Sequence, residues 1–203
     1  MAEKTKTAVL VSGGGTNLQA ILDAEKNGLL PDTEIVLVIS NMRDAYALQR
    51  AEKAGIPTRC VIKKELKSQE AFEQAILEAL RESGAELIVL AGFLAILSEN
   101  FTKQYEKRIL NVHPSLIPSF CGKGYYGLKV HEEALKRGVK VTGATVHYVN
   151  DIPDGGEIIF QKAVEIYDGD TPETLQKRVM VQAEWVLLPM AVEMVSKKII
   201  NNK

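Results

Sequence analysis

The sequence of 203 residues predicts an α/β fold, with helix-covered parallel strands in its first half and a mixed sheet with an antiparallel portion in its second. Three observations predict it. Short β-branched runs alternate with helical periodicity through the first half. The strand runs are almost continuously apolar, as strands buried on both faces require. After Val141 the pattern turns to period-two alternation interrupted by turn-forming residues.

Thr7–Val11 reads as the first strand, and Leu18, Ile21 and Leu22 mark one face of the helix after it. The unit repeats with strand Glu34–Ile39, a helix near Tyr46–Ala54, strand Thr58–Ile62, and a helix whose Phe72, Ala75, Ile76, Ala79 and Leu80 share a face. Strands Leu87–Leu90 and Arg108–Val112 follow. Each crossover lays a helix over one side of the sheet, so this half is Rossmann-like. A loop rich in Pro and Gly then runs over Pro114–Gly127, and a short helix reaches Arg137. Val141–Val149 and Glu157–Ala163 read as antiparallel strands joined by a turn over Asn150–Gly156. The tail Thr171–Lys198 reads as helical, with Leu175, Val179, Ala183, Val186, Met190 and Met194 as its apolar stripe and Pro189 as a kink. One domain over residues 1–203 is expected, because a single core grows to about 250 residues before chains divide.

Basic and acidic residues number 25 and 26, so there is no broad positive field for a nucleic-acid backbone or an anionic membrane. The expected partner is a small molecule. Cys60 and Cys121 are the only cysteines, too few for a disulfide framework and without metal-ligand spacing, so both read as ordinary thiols and no metal is expected. The N-terminus lacks the pattern of a secretory leader, and a reducing cytoplasmic setting is expected. No segment is expected to reach the roughly 20 apolar residues of a membrane span. Periodicity leaves monomer and dimer equally open.

Ser12-Gly13-Gly14-Gly15-Thr16-Asn17 sits between the first strand and first helix, where doubly wound sheets bind ligands. Glycines let backbone N–H groups approach an anion, and the helix N-terminus favours negative charge. A tight turn capped by Thr16 is the plainer reading. The loop lacks the last glycine of a dinucleotide fingerprint and the Lys of a P-loop, so a single phosphomonoester fits better than NAD or ATP.

Asn111 and His113 share one strand face just before Pro114, and Asp154 lies in the Gly-rich bend after His147. An amide donor, an imidazole and a carboxylate would together suit acyl transfer to an amine, by holding an oxyanion and moving a proton. Alone, each has a structural reading. The whole order, a Gly-rich first turn, then Asn111-Val112-His113-Pro114-Ser115-Leu116-Ile117-Pro118, then His147 and Asp154-Gly155-Gly156, resembles the glycinamide ribonucleotide formyltransferase family over nearly the full chain.

The resemblance implies the formyltransferase fold, 10-formyltetrahydrofolate as co-substrate, glycinamide ribonucleotide as acceptor, and Asn111, His113 and Asp154 as the catalytic trio. It implies that Gly14, Gly15, Thr16 and Asn17 meet the substrate phosphate and that Glu184, with a one-residue offset, meets the ribose. Leu94, Ile96 and Leu97 resemble the folate-side loop, Asn150 and Asp151 the loop over the pterin, and Arg59 a contact to the folate tail. The chain departs from the family pattern at Ala95, where Arg is frequent, and in extra residues over Cys121–Leu128, before the helix bearing His131. A related formyltransferase acting on methionyl-tRNA or a nucleotide sugar, a formyltetrahydrofolate hydrolase, and a non-catalytic module binding a phosphorylated metabolite are the alternatives. The chain's length and lack of a basic segment argue against the first three, and the co-occurrence of the trio against the last.

Overall fold

The computed structural model describes residues 3–203 and contains one seven-stranded sheet in the order β3-β2-β1-β4-β5-β6-β7. The strands are β1 (Thr5–Val11), β2 (Thr33–Ser40), β3 (Thr58–Cys60), β4 (Leu87–Leu90), β5 (Ile109–His113), β6 (Val141–Tyr148) and β7 (Ile158–Glu165). Pairing is parallel from β3 through β5 and antiparallel for β5–β6 and β6–β7, as the sequence predicts. The strand order reverses between β1 and β4, and a reversal opens a crevice at the carboxyl ends of the two strands.

The helices are α1 (Thr16–Lys26), α2 (Tyr46–Lys53), α3 (Lys63–Leu66), α4 (Gln69–Ser83), α5 (Glu99–Thr102), α6 (Leu128–Arg137), α7 (Pro172–Val179) and α8 (Trp185–Asn201). Their cores lie on opposite faces of the sheet. In β1, Val9 and Val11 pack with Leu18, Ile21, Leu188 and Val192 on one face, while Ala8 and Leu10 pack with Phe72, Ile76 and Leu80 on the other. This alternation inside an unbroken apolar run is what a strand covered twice requires. Ser68 caps α4 by accepting from the Ala71 N–H, and Thr171 and Thr174 form a capping box at α7.

The tail departs from the sequence reading. Met180–Glu184 is a π turn between α7 and α8, and the wider turn carries the apolar stripe one residue onward. Leu175, Val179 and Ala183 are buried as expected, but beyond the turn Leu187, Leu188, Ala191, Val192 and Val195 face inward. Val186 and Met190, expected in the stripe, are 40% and 51% exposed. Pro189 lies within α8, and the irregularity falls upstream of it. The 30-residue stretch Pro172–Asn201 is also long and apolar enough, by length and composition, to cross a membrane, contrary to the expectation above. Its apolar face already packs against α1 and the sheet, and 56% of the apolar window is buried there. Shorter departures are the end of β3 at Cys60 and the small helices α3 and α5.

Candidate active site

Two loops flank the crevice at the strand reversal. The loop after β1 carries Ser12 to Gly15, the loop after β4 carries Gly92 to Leu97, and the Leu94 N–H donates to Ser12 Oγ across 2.8 Å. Helix α4 holds the second loop from beneath. Buried Glu73 accepts from the Ser98 N–H at 2.6 Å and from its hydroxyl, while Gln69 donates to the Ile96 carbonyl at 3.0 Å.

Strand β5 supplies the centre. Leu110 and Val112 join the core on one face, so Asn111 and His113 project from the face of Ile109. Antiparallel pairing sets His147 opposite Asn111 and Thr145 opposite His113. The loop after His113 is fastened by Thr145, whose hydroxyl donates to the Ser115 carbonyl at 2.7 Å and accepts from the Ile117 N–H at 3.1 Å.

Asp154 enters from the bend between β6 and β7 with a left-handed backbone, φ 57°, which Asp tolerates better than most side chains. At Gly156 a Cβ would collide with the Tyr148 carbonyl, so glycine there lets the chain close back on β6. One Asp154 oxygen lies 3.4 Å from Asn111 Nδ2. The other accepts the Gly122 N–H at 2.8 Å and lies 3.5 Å from His113 Nδ1. The amide, imidazole and carboxylate therefore converge, although Asp154 is 43 residues from Asn111.

Hydrogen bonds to carbonyls determine the imidazole roles. His147 Nδ1 lies 2.7 Å from the Tyr148 carbonyl and must carry the proton, leaving Nε2 to accept from Asn111 Nδ2 at 3.1 Å. His113 Nε2 lies 2.8 Å from the Phe120 carbonyl and likewise donates. The proton-bearing nitrogen of His113 is therefore engaged by the loop in this conformation. Burial pushes the His113 pKa below 6.5 against the opposing pull of Asp154 and the Phe120 carbonyl, so the ring is neutral at pH 7. Burial pushes the Asp154 carboxyl upward, but His147 and His113, in their protonated forms, and the Gly122 N–H outweigh it and hold the group below the usual carboxylate range.

These groups line a cavity of about 430 Å³ whose walls include Leu94, Ile96, Lys123 and Tyr126. A narrower pocket of about 120 Å³ continues past Asn111 and Asp154 to Leu97, Asn150 and Asp151. Leu94 and Ile96 are 62% and 64% exposed at the rim, whereas Leu97 is buried. Arg59 is not brought to this cavity: it stands on edge strand β3, paired with Glu82 at 3.2 Å. Gly14, Gly15, Thr16 and Asn17 lie together at the α1 N-terminus, and Asn17 Nδ2 donates to Glu184 at 2.7 Å. The π turn thus delivers Glu184 to the first turn of α1, where burial pushes its carboxyl up to about 7 despite the Asn17 hydrogen bond. A larger cavity of about 610 Å³ lies between α1 and α2, and none of the trio lines it.

Sequence reasoning gave no role to His147, Glu73, the Phe120 carbonyl or the Gly122 N–H. His147 had a signal, its alternation with Thr145, which becomes informative once β6 is registered on β5. Among the described residues, no group of three or more His, Cys, Asp or Glu side chains is placed to hold a metal ion.

A half-buried amide donor beside an ionised carboxylate and a neutral imidazole equips a site to move an acyl group to a nucleophile, so the class is an α/β group-transfer enzyme. A protein-family model described as formyl transferase matches residues 5–192. The chain belongs to the formyl transferase family. It is 40% identical over 184 residues to phosphoribosylglycinamide formyltransferase of Escherichia coli (strain K12), covering 91% of this chain and 84% of that protein. It is 47% identical over 193 residues to the trifunctional purine biosynthetic protein adenosine-3 of Gallus gallus, covering 95% of this chain but only 18% of that protein. The crystal structure of glycinamide ribonucleotide transformylase 1 from Symbiobacterium toebii superposes with a TM-score of 0.90 at 38% identity, covering 98% of this chain and 90% of that one.

Proposed function

We propose that the chain works as a single formyltransferase domain that moves the formyl group of 10-formyltetrahydrofolate to the amine of glycinamide ribonucleotide, a step of purine biosynthesis. The observation that carries this reading is the convergence of Asn111, His113 and Asp154 at a cavity flanked by the Gly-rich first loop, in a chain of the formyl transferase family. The relatives' names, which carry formyl transfer and glycinamide ribonucleotide, support the acceptor.

The amine attacks the formyl carbon, a C–N bond forms, and the carbonyl electron pair moves to oxygen. Asn111 donates its side-chain N–H to that oxyanion. His113 becomes a second donor when its Nε2–H turns from the Phe120 carbonyl. Asp154 accepts the proton lost by the amine, directly or through water. The intermediate then collapses, the bond to folate nitrogen breaks, and that nitrogen takes up the proton held by Asp154, directly or through water, as tetrahydrofolate leaves. No step draws on a metal.

Gly14, Gly15, Thr16 and Asn17 hold the substrate phosphate, and Glu184 faces the ribose. Leu94, Ile96 and Leu97, with Asn150 and Asp151 opposite, form the pterin slot, and Arg59 reaches only the distal folate tail. The protein acts in the cytoplasm as monomer or dimer, without nucleic acid or membrane.

The test is release of tetrahydrofolate by purified protein. Release should require 10-formyltetrahydrofolate and glycinamide ribonucleotide together. Release with the folate alone would identify a hydrolase and overturn the reading.

A further inference from the structure

The first loop is held from behind by α2. The Ala47 N–H donates to the Gly13 carbonyl at 3.1 Å, and Arg50 Nε donates to the Gly14 carbonyl at 2.8 Å. A second arm of the same guanidinium donates to Gln19 on α1 at 2.9 Å, which fixes the fork in place. Gly15, with φ 72°, rests directly on Ala47, where a Cβ would come within 2.6 Å of the Ala47 Cβ.

A trans peptide is planar, so its C=O and its following N–H point in opposite directions. With the carbonyls of Gly13 and Gly14 drawn toward α2, the N–H groups of Gly14 and Gly15 must face away from it. Those two N–H groups have no hydrogen-bond partner among the described residues. Beside them the buried Asn17 Oδ1 also lacks one.

We infer that Arg50 is the positioning residue of the phosphate cradle: its fork orients the Gly14–Gly15 peptide so that the Gly15 N–H joins the Gly14 N–H, turned outward by Ala47, in converging on a phosphomonoester. Arg50 does this through the peptide, without needing to touch the substrate, and its planar fork is the reason a lysine is not equivalent. Sequence reading passed over Arg50, because at position five of α2 it resembles a solvated helix cation. The inference rests on the proposed use of the first loop for the substrate phosphate.

Arg50→Met and Arg50→Lys test it against wild type, with glycinamide ribonucleotide and its dephosphorylated form as acceptors. Arg43→Met, which removes another α2-side cation paired outward with Glu65, is the control. Arg50→Met should raise KM for the phosphorylated acceptor about 10-fold or more, the scale of a lost hydrogen bond to a charged group. KM for the folate, and kinetics with the dephosphorylated acceptor, should stay within about 2-fold of wild type by the same reasoning. Arg50→Lys should recover only part of the loss. An equal loss with both acceptors would show a merely structural role and overturn the inference, as would full recovery by lysine. Calorimetric binding of inorganic phosphate separates this from the larger reading: weakening by Arg50→Met supports the cradle whatever the amine, and undiminished binding overturns it. Absence of phosphate binding by wild type overturns both.

Discussion

At the residue scale the site depends on two groups whose protonation is set by opposite balances. Asp154 is held ionised by its hydrogen-bonding neighbours despite burial, and His113 is held neutral by burial despite Asp154. The acid limb of kcat/KM should therefore lie below pH 6.5, the ordinary histidine value. Because Asp154 pulls the His113 pKa upward, Asp154→Asn should move whatever residual limb remains further toward acid, and a limb moving toward neutral pH would contradict the balance. Asn111→Ala removes the proposed oxyanion donor and should lower kcat by about 10²–10³-fold with little change in fold, measured by steady-state kinetics beside a thermal melt. Asn111 and His113 were legible in the sequence because a strand has period two, which places them on one face whatever surrounds them, and Asp154 through the family resemblance alone. The donors that tune the trio were not. Phe120 and Gly122 act through backbone groups, whose direction depends on a loop path that side-chain chemistry does not reveal.

At the scale of elements, the strands and large helices follow from apolar periodicity, and the departures come where hydrogen bonding changes the period. The π turn at Met180–Glu184 is the clearest case, since one extra residue per turn moves every later side chain around the helix axis. Leu188→Ala should cost about 2–5 kcal/mol of stability, the range for a buried leucine, while Met190→Ala should cost less than about 1 kcal/mol. Comparable losses at both, measured by urea unfolding, would restore the unshifted stripe. The bend before β7 was legible from its Gly and Asp content, but the collision between a Cβ at Gly156 and the Tyr148 carbonyl is a tertiary fact. Gly156→Ala should displace Asp154 and lower kcat together with stability, and unchanged kcat would show that the bend does not position the carboxylate.

At the scale of the whole molecule, two buried ionisable groups with opposite shifts shape the response to pH. Burial takes His131 from 6.5 to about 4, so its contribution to stability is present above pH 6.5 and is lost as pH falls toward 4. Burial takes Glu184 from 4.5 to about 7, so its contribution is present below pH 4.5 and is lost as pH rises toward 7. Each shift corresponds to roughly 3 kcal/mol, and between pH 4.5 and 6.5 the two slopes oppose one another. Glu184→Gln should uncover the histidine, with stability to urea falling by roughly 3 kcal/mol between pH 6.5 and pH 4. A flat profile in that variant would contradict the account of His131. The burial behind these shifts was not readable from the chain, because the partners of each group come from distant segments, as Asn17 and Glu184 do across 167 positions.

The central claim is that a carboxylate carried by a distant bend serves the amide and imidazole of a strand tip in one formyl transfer. Single-turnover transfer from 10-formyltetrahydrofolate to glycinamide ribonucleotide, with Asp154→Asn at saturating substrates, tests it most directly. The predicted result is a loss of at least about 10³-fold with folate binding retained, consistent with the loss of a group acting mainly in the transition state. Transfer within about 10-fold of wild type would show that the chemistry proceeds without Asp154, and the account would fail.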